Sequence, residues 1–586
     1  MKARSWLNLL CCVLLWSSSA VAFDPESVAV NPDLADFTAE FFPAQVFKVT
    51  NGVYVARGYN RDNPVLVQGP GGLVVIDPGE SIDAAEVVKE AFVDYLGYDV
   101  FSKFPVKAII YTHHHDCHIH GASVFAGKDT EIIAHKNLME VLFADWYGQL
   151  FPSRLEGGAK MSGSLFADDP GWFAGGGLFA VQVKGDSGFL APTRTVEDKL
   201  ETTIAGVKMA LYSVPGETRD VLVVWLEDKK TLVQIANLYQ AMPAITTLRG
   251  AYPRNPLDYI SSIDVYRSLN PEYLVLIHGP NPVLAGKDTI NQTLTNYRDA
   301  IQFIHDQTVQ NMNKGLTPGE IVEVVKLPDY LATDPFLQEY YGEVSRNIYE
   351  IFWWYRGYFS GKCRDLFAHS PMEEAETAKE LAGGLEELAS KANDALTAGK
   401  LERALVLADN VLLLDSGNAG ARATKNQAMI LLAEKTQNAQ VRNYLLSEYL
   451  LETEQKTNPL LGHPKLAFYT IGDNILPMMP MDTIFRIMAV NLNTEKSLEE
   501  DVTVGLSLTD KQSSGTQAYT MHVRRVVFEV SSGLPSNGLF KIVTDSLTWK
   551  KLCLGKINPA DAITDGDIKI EGGDTLAFSE FLNLFI

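Results

Sequence analysis

Tyr111-Thr112-His113-His114-His115-Asp116-Cys117-His118-Ile119-His120-Gly121-Ala122 places five histidines within eight residues of a 586-residue chain that has only eleven. Immediately upstream, Val106-Lys107-Ala108-Ile109-Ile110-Tyr111 has the pattern of a short buried strand. The histidines therefore fall on the loop that leaves it. On a loop, neighbouring side chains can turn toward one point, which the alternation of a strand forbids. Imidazole is a common ligand for zinc and similar ions. One histidine in such a place more often caps a helix; five together point to metal binding on a strand-to-helix loop.

The rest of the composition bounds the function. Lys+Arg 50 against Asp+Glu 72 gives a net charge of −22. So acidic a surface argues against a nucleic-acid partner, and an anionic substrate would need a locally positive pocket. The 46% hydrophobic content is that of a globular protein, and the length predicts several domains. Met1–Ala22 reads as a signal peptide, with Lys2 and Arg4 at its start, the apolar stretch Trp6–Trp16, and the small-residue site Ala20-Val21-Ala22. The apolar stretch is short for a membrane span, and no later stretch qualifies. The expectation is a mature chain starting near Phe23 in a secretory or periplasmic compartment. Cleavage would remove Cys11 and Cys12 and leave Cys117, Cys363 and Cys553, too few and too far apart for a disulfide framework. Asn291-Gln292-Thr293 is a glycosylation sequon in a helical-looking segment.

Along the chain, Val46–Arg57, Val65–Val67 and Leu73–Ile76 read as strands, and Ser81–Leu96 as a helix capped by Ser81. Glu131–His135, Leu200–Val214, the hairpin Val221–Leu226 with Thr231–Ile235, and Leu274–Ile277 add further strands. Strands alternating with helices predict an α/β layered domain. Metal-like residues recur at strand ends: Asp77, the histidine loop, Glu217 and His278. Recurrence there lets residues distant in sequence meet at one rim of a sheet. Ala144–Gly177, rich in glycine and aromatics, reads as an irregular lid or binding loop. From about Pro318 the pattern becomes helical, and Ala395–Lys400, Ala404–Leu413 and Asn418–Leu432 resemble tetratricopeptide-like helix pairs. Beyond Asn458-Pro459, helix (Thr483–Leu492) mixes with strands such as Tyr519–Val530, and the chain closes on a short apolar helix.

The sequence resembles the alkyl sulfatase group of the metallo-β-lactamase superfamily over nearly the whole mature chain. The resemblance is carried by Asn51-Gly52-Val53-Tyr54-Val55, Gly72–Asp77, Thr112-His113-x-His115-x-x-His118, Pro215-Gly216-Glu217-Thr218, Thr247-Leu248-Arg249-Gly250, Gly357-Tyr358-Phe359-Ser360-Gly361 and Glu380-Leu381-Ala382-Gly383-Gly384. It implies a multidomain α/β chain. A signal peptide (1–22) precedes a metallo-β-lactamase αββα sandwich (23–315), an all-α dimerisation domain (316–457) and an α+β sterol-carrier-like domain (458–586).

The resemblance also implies a site. His113, His115 and Glu217 would bind a first zinc, and Cys117, His118 and His278 would serve a second. Two positions depart from the family pattern: Cys117 stands where an aspartate is usual, and Ala236 stands where a bridging carboxylate precedes Asn237. A thiolate remains a good zinc ligand, whereas alanine offers none, so a second ion should be held more weakly. Asp116 and His120 are near enough in sequence to substitute, but a one-residue shift along a loop generally points a side chain elsewhere. Arg249 matches the family's sulfate-binding arginine, whose planar fork suits an oxyanion; Asn237 and Tyr239 would line the pocket.

The implied activity is zinc-dependent hydrolysis of a small amphipathic sulfate ester by metal-activated water, in a homodimer. Two other readings stand beside it: a degenerate-site pseudoenzyme or lipid-binding protein that keeps the scaffold, and a metal hydrolase for another ester or a lactone.

Overall fold

A computed structural model describes residues 27–367, 369–457, 467, 468, 470–510, 515 and 517–585. The signal-peptide reading of Met1–Ala22 lies outside the described residues. No described helix is long and apolar enough to cross a membrane.

Two sheets face each other in the first part of the chain. One has seven strands in sequence order, from Gln45–Thr50 to Arg194–Val196. Its first four strands form antiparallel neighbours, and Gly72–Ile76, Val106–Ile110, Glu131–His135 and Arg194–Val196 run parallel. The other sheet has six, ordered Val283–Ala285, Tyr273–Leu276, Thr231–Gln234, Leu222–Leu226, Val207–Ser213 and Lys199–Ile204. Side-chain alternation explains the sandwich. Leu73, Val75, Ile109 and Tyr111 point to the side covered by the helix Ile82–Leu96, where they meet Ala85, Val88 and Phe92. Val74, Ile76, Ala108 and Ile110 point the other way and meet Leu211, Leu232 and Val233 of the second sheet. Strands buried on both faces read as unbroken apolar runs. The outer side of the second sheet carries Pro256–Leu269 and Lys287–Asn313, which add Tyr259, Ile263, Leu294 and Ile301 to that core. The layers are thus helix, sheet, sheet, helix.

Residues 367–434 are the described body of a separate compact unit. Its helices Pro371–Ala382, Leu385–Thr397, Leu401–Leu414 and the greater part of Ala419–Lys435 enclose an apolar core of Leu388, Ala392, Ala408, Val411 and Ala421. The stretch Ala395–Lys400 is the end of a helix and its turn, not a helix of its own. Residues 470–585 fold as an α+β layer, with a five-stranded sheet ordered Val527–Ser532, Ala518–Arg524, Asp501–Leu508, Lys541–Thr544 and Lys569–Glu571.

One expectation needs correcting. Ala144–Gly177 is not irregular throughout, because Phe151–Ser162 is a regular α-helix. Gly157 and Gly158 at its centre read as a loop signal, since glycine disfavours helix interiors. Here Gly157 answers a packing demand: a Cβ on it would come within 2.9 Å of the Arg249 Cα. Its glycine lets the helix lie directly against the backbone of a site residue.

Candidate metal centre

Five chain segments leave their strands at the same rim. Asp77 follows Gly72–Ile76, the histidine loop follows Val106–Ile110, Glu217 follows Val207–Ser213, Asn237 follows Thr231–Gln234, and His278 follows Tyr273–Leu276. Asp77 fixes the start of the histidine loop: its carboxylate accepts from the Thr112 backbone N at 2.8 Å and from Thr112 Oγ1 at 2.6 Å. The Leu222 N–H donates to the Thr112 carbonyl at 2.7 Å and ties the loop to the second sheet.

His113, His115 and Glu217 converge, with their ligand atoms within 4.8 Å of one another. His113 Nε2 lies 2.8 Å from His115 Nδ1, and His115 Nδ1 lies 4.0 Å from Glu217 Oε1. Glu217 is held from two sides. Its backbone N donates to Asn237 Oδ1 at 3.0 Å, and its carboxylate meets Arg254 Nη2 at 3.3 Å, while Arg254 Nη1 donates to the Ala244 carbonyl at 2.6 Å. Burial holds His113 and His115 well below the ordinary imidazole value, and nearby positive charge adds to the effect: His118 for His113, and Arg249 for His115. They stand neutral, the form in which imidazole binds a metal.

Cys117, His118 and His278 form a second group, again within 4.8 Å. The rings of His118 and His278 are 5.1 Å apart. Behind His118 lie Asp77, 3.0 Å from Nδ1, and Asp62, 3.3 Å away. Burial raises the Cys117 thiol and lowers His278. For His118, burial pulls downward but the surrounding negative charge outweighs it, with Asp77 and Asp62 on one side and Cys117 when ionised on the other, so the ring stands well above its ordinary value. Asp62 is pushed up to about 7 by burial.

The donors suit a divalent cation by their own chemistry. His118 Nε2, His278 Nδ1 and Asp62 Oδ1 are buried without a hydrogen-bond partner, whereas His118 Nδ1 pairs with Asp77 and Asp62. Buried polar groups are normally satisfied, so unpartnered ligand atoms gathered at one place suit a cation.

The remaining predicted residues are placed less uniformly. Ala236 is fully buried at φ 45° and contributes no ligand. Asp116 is engaged elsewhere, 2.8 Å from Arg61 Nη2, and that guanidinium, also paired with Glu80, outweighs burial and holds the carboxyl below its usual range. His120 lies 3.3 Å from the Tyr147 hydroxyl, and burial lowers it to about 4. Neither replaces the missing carboxylate.

Arg249 Nη2 sits 3.0 Å from His115 Nε2, and its guanidinium lies over Trp146 at 5.3 Å. Asn237 and Tyr239, expected to line the pocket, are both fully buried and are not among the residues lining the cleft. Asn237 holds the Glu217 backbone and donates to the Val214 carbonyl at 2.8 Å, and the Tyr239 hydroxyl accepts from Ala244 N at 2.8 Å. Sequence reasoning overlooked Asp62, Arg61, Arg254 and Gly157. A signal for the first two existed: Asn60-Arg61-Asp62-Asn63 is a polar run between two mainly apolar strands, Val53–Arg57 and Val65–Gly69, and Asn63 Nδ2 donates to the carbonyls of Leu276 and Gly279 around His278.

The cleft over the site measures about 470 Å³ and has an apolar wall of Trp146, Leu155, Leu178, Phe179 and Val183. It combines two ligand groups, a guanidinium and a surface for a hydrocarbon chain.

Three family models match the chain in turn: metallo-beta-lactamase superfamily over 60–278, alkyl sulfatase dimerisation over 317–454, and alkyl sulfatase C-terminal over 470–586. A linear primary-alkylsulfatase from a Pseudomonas species is 32% identical over 535 residues, covering 89% of this chain and 98% of the relative. An (R)-specific secondary-alkylsulfatase from Pseudomonas is 27% identical, covering 97% of this chain and 86% of the relative. An alkyl/aryl-sulfatase from Saccharomyces cerevisiae is 25% identical over 98% of this chain and 88% of its own length. The solved structure of a stereoselective inverting sec-alkylsulfatase from Pseudomonas superposes with a TM-score of 0.83 at 23% identity, over 96% of this chain and 88% of that one. It shows the same multidomain fold.

Proposed function

The chain belongs to the alkyl sulfatase family, and on that premise we propose that it hydrolyses sulfate esters of alkyl alcohols, with zinc as the cation at its histidine cluster. The observation that carries this reading is the convergence of His113, His115 and Glu217 beside Arg249 at an apolar-walled cleft. His113, His115 and Glu217 would hold the first cation; Cys117, His118 and His278 would hold a second. When bound, such a cation supplies Lewis acidity and makes water a competent nucleophile near neutral pH. The chain's own residues do the rest. Arg249 offers a planar fork to sulfate oxygens. Arg254 pairs with the Glu217 carboxylate and aims it. The cleft wall takes the hydrocarbon tail and excludes bulk water.

The pseudoenzyme reading rests on Cys117, which stands in place of an aspartate, and on Ala236, which leaves no ligand between the two groups. It is the weaker one, because the first group is assembled without either residue. Zinc in the purified protein by elemental analysis, with sulfate release from a medium-chain alkyl sulfate, is the expected result. A fully zinc-loaded protein with no turnover on such esters, but turnover on a lactone or carboxylic ester, would overturn the substrate assignment.

Two further parts of the proposal concern surroundings. Trp353, Trp354 and Tyr358 are exposed at the end of the helix Val344–Arg356, within the stretch that matches the dimerisation model. Exposed aromatic side chains in that stretch fit a second copy of the chain, making a homodimer, checked by the mass in sedimentation equilibrium. Export behind a cleaved Met1–Ala22 is checked by sequencing the N-terminus of the protein recovered outside the cytoplasm.

A further inference from the structure

The chain between the strand Thr231–Gln234 and the helix Pro256–Leu269 has no helix or strand of its own, yet residues 235–245 are all buried. The same segment carries Asn237, Arg249 and Arg254 to the site. A buried loop must find partners for its backbone groups. Here many of them come from later in the chain, from the stretch that matches the dimerisation model. We propose that Asn347 and Glu350, on the helix Val344–Arg356, are positioning residues of the hydrolytic site: they hold residues 243–254 in the shape that presents Arg249 to the cleft and Arg254 to Glu217. The proposal rests on the hydrolase reading above and names what sets the geometry of that same site.

Asn347 lies inside the helix, is fully buried, and uses both ends of its amide on neighbouring peptide groups. Its Oδ1 accepts from the Ile245 N–H at 3.0 Å, and its Nδ2 donates to the Pro243 carbonyl at 2.8 Å. Asparagine is a poor helix former, and a buried amide is costly unless both ends are bonded; the clamp offsets both. Between the clamped residues, the Ala244 carbonyl accepts from Arg254 Nη1 at 2.6 Å, and Arg254 Nη2 meets Glu217 at 3.3 Å. A line of bonded groups thus runs from Asn347 to the Glu217 carboxylate. The backbones beside it are close as well. Met242 N donates to the Gln338 carbonyl at 2.7 Å and Gly342 N to the Met242 carbonyl at 3.0 Å, and a Cβ on Gly342 would come within 2.1 Å of the Pro243 oxygen.

Glu350 follows three residues later, on the same face of the helix, and is 7% exposed. Its carboxyl faces the Thr246 side chain and the Arg254 backbone. Those residues are the two ends of the loop that carries Arg249, so Glu350 closes that loop at its base. At position 249 the loop meets Gly157 of the helix Phe151–Ser162. The backbone that aims Arg249 is therefore held by one helix at its base and another at its tip.

The test reads metal affinity and KM separately. Asn347→Ala should lower the zinc affinity of the first group by about 10-fold in competition with a chromogenic chelator, the low end for outer partners of metal ligands. Asn347→Asp, which keeps the size but turns a carboxylate oxygen to the Pro243 carbonyl, should show the same loss and serves if alanine does not fold. Glu350→Ala should raise KM for a medium-chain alkyl sulfate by about 10-fold, through a displaced Arg249. Glu350→Gln, which keeps the shape and one acceptor, should recover part of this. Ile348→Val trims the apolar core under the same helix and is the control: it should lower the melting temperature and leave zinc affinity and KM unchanged. Folded Asn347 and Glu350 variants with the parent's zinc affinity and KM, or an Ile348→Val that shifts both as far, would overturn the proposal. An effect in one variant alone would keep that residue as a positioning residue and remove the other. The hydrolase reading fails separately. Zinc affinity that depends on Asn347 in a protein that turns over no sulfate ester upholds the clamp and overturns the hydrolase; turnover with zinc affinity indifferent to Asn347 and KM indifferent to Glu350 does the reverse.

Discussion

His115 and Cys117 stand two residues apart on one loop, and the donor groups they join are supported in different ways. The first group consists of two neutral imidazoles and a carboxylate, each with a neighbour behind it: Glu217 has Asn237 and Arg254, His113 has Thr112, whose hydroxyl lies 3.2 Å from Nδ1, and His115 has Arg249, 3.0 Å from Nε2. The second is a thiol with two imidazoles, backed by Asp62 and Asp77, with unsatisfied nitrogens and no carboxylate reaching across from position 236. A braced group of nitrogen and oxygen donors is preorganised for a cation before it arrives. An unsatisfied group with a sulfur donor gains its order from the cation and favours a soft one. Ala236 therefore weakens the link between the two groups and leaves the first intact.

The sharpest way to break the comparison is to remove the carboxylate of the first group. Glu217→Ala should abolish turnover and cost well over about 100-fold in affinity for the first ion, since even outer partners of metal ligands cost about 10- to 100-fold. Elemental analysis should then find the second group as the main site of whatever metal remains. Equal loss from both groups would show that they bind as one. Arg254→Ala tests the bracing itself and should fall in that range, about 10- to 100-fold in metal affinity, with Glu217 still present. An unchanged affinity would show that Arg254 does not brace the ligand.

How much of this was legible follows the same division. The sandwich was readable because strands buried on both faces, such as Leu73–Ile76 and Ala108–Tyr111, are unbroken apolar runs. The first group was readable because His113, His115 and Glu217 each follow a strand and belong to a motif with fixed spacing. What supports them was not. Arg254 and Asp62 come from loops with no motif, and their role exists only once the chain is folded. Asn237 was read as a pocket residue because it follows the position of the lost bridge; it turned out to hold Glu217 from behind. The helix Phe151–Ser162 was hidden by Gly157 and Gly158, whose composition signals a loop while the packing against Arg249 demands a helix.

Restoring the missing ligand is a smaller perturbation. Position 236 already carries a Cβ at φ 45°, so Ala236→Glu adds no new backbone strain. It does bury a carboxylate, which is costly without a cation. The variant should melt lower than the parent when metal-free, and the zinc-loaded form should recover, because an ion that binds only the folded state stabilises it by mass action. With Cys117→Asp added, second-ion affinity should rise further. In the parent, cobalt substitution should give a near-ultraviolet thiolate-to-metal band that Cys117→Ser removes. A parent without that band would take Cys117 out of the second group.

The smallest effect is also the one that distinguishes the groups by sign. In the metal-free protein, His113 and His115 are held well below the ordinary value, chiefly by burial. Unfolded, they take up protons near pH 6.5, where the folded state does not. The unfolded state then binds more protons, so their contribution to stability is complete above about pH 6.5 and is lost as pH falls below it. His278 shares that direction. His118 has the opposite one: it stands above its ordinary value, so its contribution is complete below about pH 6.5 and is lost as pH rises through the folded value. Chelator-treated protein should therefore lose melting temperature on acidification from pH 7 to pH 5. His118→Gln should steepen that loss, and His113→Gln should flatten it. Two variants with the same pH slope would mean that the imidazoles of the two groups share one protonation state, and the distinction between a braced and an unsatisfied group would have no electrostatic basis.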